Sequence, residues 1–90
     1  MPKRDRPVAE LTNIGPTIAR RLRKVGIETR GDLDRVGPAK VFQRVCAEYP
    51  RETISVCYYL YSLEGALRDR HWDAIGAKQK ARLREEAGID

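Results

Sequence analysis

The chain has 90 residues, a net charge of +5, a single histidine and two cysteines. That length builds one small domain with one core and a narrow stability margin. The opening MPKRDRP lacks the apolar stretch of a signal peptide and no apolar run is long enough to span a bilayer, so neither a signal peptide nor a membrane-spanning helix is expected, and a cytoplasmic location is. Cys46 and Cys57 lie in apolar helical context with only His71 for company, which argues against a disulfide framework, a zinc site or a Cys/His triad and for reduced thiols with no cofactor.

Residues 1–7 are charged and without periodicity, which predicts a disordered basic arm ahead of a helical domain over residues 8–90. Val8 to Leu11 fits a short helical turn. Leu11-Thr12-Asn13-Ile14-Gly15-Pro16 then reads as a tight turn, because Asn and Gly tolerate positive φ and Pro suits the first position of the next helix. That helix, about Pro16 to Val25, is predicted to bury Ile18, Leu22 and Val25 and to expose Arg20, Arg21, Arg23 and Lys24. Gly26 should close it in a left-handed cap with Ile27 folded back on Leu22. Thr29-x-x-Asp32 has the spacing of a capping box and opens a short helix through Leu33 and Val36. Gly37 stops it, and Pro38 starts another with Val41, Phe42 and Val45 inward, ended by Pro50.

Ile54 to Arg70 is the widest apolar stretch. Val56, Leu60, Leu63 and Leu67 share one helical side, and Ile54, Tyr58 and Tyr61 make a second stripe beside it. A surface this broad predicts a central helix contacted by several shorter ones, with Glu64, Arg68, Asp69 and Arg70 facing water. Tyr58, Tyr59 and Tyr61 are read as core residues with wet hydroxyls, and Trp72 as a lid. Gly65 suggests a close helix crossing. After a turn at His71 to Gly76, a last helix runs from Ala77 to Ala87. No stretch alternates with period two for long enough to be a strand. The predicted fold is all-α, a compact bundle of about five short helices around a central one.

Leu11-x-x-Ile14-Gly15-Pro16 recurs twenty-two residues on as Leu33-x-x-Val36-Gly37-Pro38, and more weakly as Trp72-x-x-Ile75-Gly76-Ala77. An apolar anchor, a glycine turn and a new helix form the pattern of a helix-hairpin-helix. In that motif, backbone N–H groups at the start of the second helix meet phosphate oxygens without reading bases. The first copy fits best and would use Asn13, Gly15, Thr17 and Ile18, with Arg20, Arg21 and Lys24 on the helix behind. The same turn also serves purely for packing in folds of the sterile-alpha-motif type.

Eight basic side chains face only Asp5, Glu10 and Glu28 in the first thirty residues, so this third of the chain holds the whole charge excess. That favours a polyanionic partner. Asp32 with Asp34, and Glu85 with Glu86, converge on no histidine or nucleophile, and capping and solvation account for them. The reading is therefore a non-enzymatic binding module with no small-molecule substrate. Its partner is either nucleic acid, held weakly and without sequence preference, or a regulatory protein with an acidic surface.

Taken together, Leu11-Thr12-Asn13-Ile14-Gly15-Pro16, Gly26-Ile27, Asp32-Leu33, Gly37, Leu60-Tyr61-Ser62-Leu63-Glu64-Gly65-Ala66-Leu67 and Trp72 resemble the C-terminal domain of the TfoX/Sxy family of bacterial competence regulators. The resemblance spans about residues 8–87. It implies a bundle of about five helices, a bacterial cytoplasm and a role linked to transcription of DNA-uptake genes. Asn13 stands where general helix-hairpin-helix motifs commonly carry glycine, and is at home in this family. Full-length members also have a separate N-terminal α/β domain, so the chain is expected to be either a stand-alone module or a fragment.

Overall fold

In the computed structural model, which describes residues 5–89, a backbone bridge joins Pro7 to Thr29. Val8 N–H donates to the Glu28 carbonyl at 3.0 Å, and Arg30 N–H donates to that of Arg6 at 2.9 Å. Of the arm expected over residues 1–7, residues 1–4 lie outside the described residues, while Arg6 and Pro7 are stitched to the turn around Thr29. A 3-10 turn, Val8–Glu10, follows and buries Val8 completely.

Helix α1 (Pro16–Lys24) opens on proline, whose missing N–H costs nothing at that position. It buries Ala19 and Leu22, whereas Ile18 and Val25, expected on the inner face, are only half-buried at its edges. Gly26 closes it at φ +86°. Ile27 N–H reaches the Leu22 carbonyl at 2.9 Å and Gly26 N–H that of Arg23 at 3.1 Å, the paired bonds of a Schellman motif. Helix α2 (Arg30–Val36) carries the expected capping box in both directions. Asp32 N–H donates to Thr29 Oγ1 at 3.2 Å, and Thr29 N–H donates back to Asp32 Oδ2 at 3.2 Å. Gly37, at φ +92°, turns the chain directly into α3 (Pro38–Glu48), which buries Val41, Phe42 and Val45.

The central helix is present but divided. Val56–Tyr61 is π-helical and runs straight into α4 (Ser62–Arg68). Leu60 and Leu63 are fully buried, as the apolar stripe requires. A π turn adds a residue per turn and rotates the side chains away from the α-helical period. Tyr58 is consequently 61% exposed, and Tyr59 takes the inward place. Glu64, expected to face water, is buried with Ser62 instead, because the adjoining helices close over this face of α4. Its carboxylate is paired with Arg68 and accepts from Gln79 Nε2 at 3.1 Å. The π segment packs on α3 and on the last helix, α5 (Ala77–Glu86), while α4 packs on α2 and on the 3-10 turn Trp72–Ala74. Among the described residues there is no strand beyond the Pro7–Thr29 bridge, so the fold is all-α. None of the helices among the described residues is long and apolar enough to cross a membrane.

Candidate nucleic-acid interface at the first hairpin

The hairpin ahead of α1 is anchored by Leu11 and Ile14, both buried, with Ile14 N–H donating to the Leu11 carbonyl at 3.1 Å. Asn13 occupies the left-handed region at φ +73°, a conformation its short polar side chain tolerates. That side chain faces inward. Nδ2 donates to the carbonyls of Arg70 (2.8 Å) and Ser62 (3.3 Å), while Oδ1 accepts from Trp72 N–H at 3.2 Å. Beside it, Thr12 Oγ1 donates to Asp69 Oδ1 at 2.7 Å. The turn thus clasps the C-terminal end of α4. A glycine at position 13 would supply the same φ but none of these bonds.

The clasp also explains Gly65. A Cβ built there would lie 2.5 Å from Asn13 Nδ2 and 2.5 Å from the Arg70 carbonyl oxygen. The close approach inferred from the sequence is therefore real. It is made by a turn side chain and a chain reversal rather than by a crossing helix.

Gly15 is different. It is extended (φ −88°, ψ 178°) and exposed, and a Cβ added to it would meet nothing within 4 Å. Nothing in the chain's own packing requires glycine here, in contrast to Gly37 with its positive φ. No side chain caps the start of α1, so the first-turn N–H groups of Thr17 and Ile18 lack a capping acceptor beside an unobstructed backbone. Thr17 is exposed and Ile18 half-buried.

The cations behind the hairpin are split. Arg20 and Lys24 are exposed on the outer side of α1, and Arg23, which the site expectation passed over, is exposed with them. Lys24 Nζ lies 4.0 Å from Glu48, both well exposed. Arg21 does not belong to this set. Its side chain is only 15% exposed and reaches into the groove between α1 and the segment after α3. There Nη2 donates to Glu52 Oε1 at 2.7 Å, Nη1 donates to Tyr59 Oη at 3.1 Å, and the guanidinium sits 4.6 Å from the Tyr49 ring centre. One helical position separates Arg20 from Arg21, and that rotation of about 100° turns one outward and the other to the core.

Of the seven expected site residues, the hairpin gathers Gly15, Thr17, Ile18, Arg20 and Lys24 on one accessible end and side of α1, and withdraws Asn13 and Arg21 into structural contacts. Elsewhere, the fold perturbs the Asp32 carboxyl and the Cys46 thiol. The backbone N–H of Glu28, then that of Thr29, and the Arg35 guanidinium hold the Asp32 carboxyl below its usual range against the opposing effect of burial. Burial raises the Cys46 thiol, which with Cys57 is free of any disulfide. No group of three His, Cys, Asp or Glu converges as a metal site among the described residues.

A family model described as the TfoX C-terminal domain matches residues 4–87. Two crystal structures from Listeria monocytogenes are similar along almost their whole length. One, of an uncharacterized protein in a triclinic form, is 32% identical, with a TM-score of 0.75 over 92% of this chain and 96% of that one. The other, of a protein of unknown function in a tetragonal form, is 30% identical, with a TM-score of 0.76 over 89% and 95%. No curated protein matches the chain.

Proposed function

The chain belongs to the TfoX C-terminal domain family, and from that premise we propose that it is a non-enzymatic binding module of a competence-type transcription regulator, acting in a bacterial cytoplasm and touching nucleic acid weakly through the first hairpin. The observation that carries this reading is Gly15. It has an ordinary backbone conformation and empty space where a side chain would be, next to an uncapped helix start. A phosphate oxygen could approach these N–H groups closely, and the helix dipole favours its charge. Arg20, Arg23 and Lys24 lie on the helix that follows and add attraction without base recognition.

A second reading, a protein-interaction domain recruiting a regulatory partner, draws on the ion pairs already formed with Glu48 and Glu52. Acidic side chains can evidently meet this helix, and a partner could supply more of them. Titration of duplex DNA at low and raised salt separates the two readings. The nucleic-acid reading expects weak, sequence-independent binding that the combined change Arg20→Glu, Arg23→Glu and Lys24→Glu abolishes with the helical circular dichroism unchanged. Absence of binding by the wild-type chain at low salt would put the protein partner first.

A further inference from the structure

We propose that Tyr58, Trp72 and His71 form a stacking platform for unpaired bases, so that the nucleic acid held by this module is single-stranded where it crosses the end of the central helix. The proposal rests on the nucleic-acid reading of the first hairpin and names the form of its partner. Tyr58 is 61% exposed and is the one large hydrophobic side chain left exposed among the described residues. It is there because Val56–Tyr61 is π-helical, and such turns are rare in helices and frequent at functional sites. The ring is also held in place. Tyr58 meets Trp72 edge-to-face, with centroids 5.8 Å apart and planes at 71°, and the His71 ring lies 5.4 Å from Trp72 on a tilt of 33°. His71 Nδ1 accepts from Asp73 N–H at 3.2 Å, which fixes that ring as well.

The platform is tied to the hairpin. Trp72 N–H is the group that Asn13 Oδ1 accepts, so the turn that leads to Gly15 also sets the aromatic cluster. On the other side, the same 3-10 turn contributes Ala74 to an open cavity of about 420 Å³ shared with Arg68, Arg70 and Gly76. Arg68 is neutralised by Glu64, which leaves Arg70 as the cation of that wall without an ion pair among the described residues. Asp69 and Asp73 more than offset it, so charge here does not draw in a polyanion and the attraction must come from the ring faces.

Two physical points choose a single strand over the other occupants. In a duplex the base faces are consumed by the stack, and an outside ring has nothing to stack on. A stable protein interface needs about 800 Å² on each partner, with aromatic anchors inside a larger apolar patch. One exposed tyrosine with a half-buried tryptophan is too little for that, but is the area that one or two bases cover.

Trp72 is the sole tryptophan, so its fluorescence reports on the platform directly. The full chain is titrated with a mixed-sequence single strand of about 12 nucleotides, within the span of common single-strand sites, and with the duplex formed by adding its complement. The single strand is expected to quench Trp72 emission and the duplex to leave it unchanged. Tyr58→Ala is expected to raise the single-strand Kd about fivefold or more, with the loss persisting as salt rises, whereas Tyr58→Phe keeps the wild-type value. Tyr58→Phe keeps the ring contact with Trp72 and should melt with the wild type, Tyr58→Ala gives up only that one contact at an exposed position and should stay folded, and quenching in the wild type reads the site without any variant. Equal quenching by both forms, or a Tyr58→Ala Kd equal to wild type, overturns the platform. In either case, binding that still vanishes on reversing Arg20, Arg23 and Lys24 leaves the hairpin reading standing. Absence of binding to either form removes both.

Discussion

Asn13 and Gly65 are best understood as one contact seen from two sides. The Asn13 amide makes three hydrogen bonds to backbone groups of Ser62, Arg70 and Trp72, and Gly65 leaves the room in which that amide sits. Asn13→Ala removes these bonds and places an ordinary side chain at φ +73°. It is expected to cost about 1–3 kcal/mol, the range for leaving partly buried backbone groups unpaired. Gly65→Ala should be at least as severe, because the Arg70 carbonyl is backbone and cannot swing aside. Combining the two should not restore stability, since removing the amide relieves only one of the two clashes. Urea unfolding of the two single variants and the double variant checks this, and a double variant as stable as Asn13→Ala alone would show that the amide alone excludes a side chain at position 65.

At the scale of elements, the parts that local chemistry determines were legible in the sequence. The Thr29–Asp32 capping box, the Gly26–Ile27 closure of α1 and the inward set of α3 all stand where the residue pattern puts them. The capping box has a consequence for acid stability. Asp32 is held below its usual range in the folded state, so it binds protons more readily when unfolded, and its contribution is fully present above the ordinary carboxylate pKa near about 4. That contribution falls away as pH drops through this value and then through the lower folded one. The stability gap between wild type and Asp32→Asn should therefore narrow on acidification from about pH 5 downward, and a gap that stays constant would refute the linkage. Leu60 and Leu63, both fully buried, should each cost about 2–5 kcal/mol on truncation to alanine; a thermal midpoint unmoved in either variant would contradict the central position of this helix. The π turn between them and Ser55 was not legible. Its i→i+5 bonding has no composition signal, and periodicity at 3.6 residues assigned Tyr58 to the core and left Glu64 in water. The Tyr58 error comes from assuming that a single helical period runs through residues 54–70, whereas Glu64 is buried because Ser62 to Ala66 are enclosed on every side by their neighbours, which no period along one helix reports.

At the scale of the whole molecule, the described cations of the first thirty residues do not form one basic surface. Arg6 donates to the Glu10 carbonyl, Arg30 donates to that of Leu67, and Arg21 is enclosed by Glu52, Tyr59 and Tyr49. Counting basic residues along the sequence could not separate these from Arg20, Arg23 and Lys24, because the difference is one of helical rotation and tertiary contact. The separation predicts how binding responds to salt. Each phosphate neutralised on a duplex contributes about −0.9 to the slope of log Kobs against log salt, so three exposed cations set a limit of about −2.7 for the hairpin. Arg21→Ala should leave that slope unchanged while lowering the thermal midpoint, since Tyr59, Tyr49 and Glu52 of the same chain already engage its side chain. Arg21→Lys should not recover the midpoint, because an ammonium cannot meet the carboxylate, the hydroxyl and the ring together as the planar guanidinium does. Changing Arg20, Arg23 and Lys24 one at a time should make the slope shallower by about 0.9 each at constant midpoint. The opposite pattern, a slope that depends on Arg21 and ignores the three outer cations, would move the phosphate contact off the first hairpin and onto Arg21, between α1 and the segment after α3.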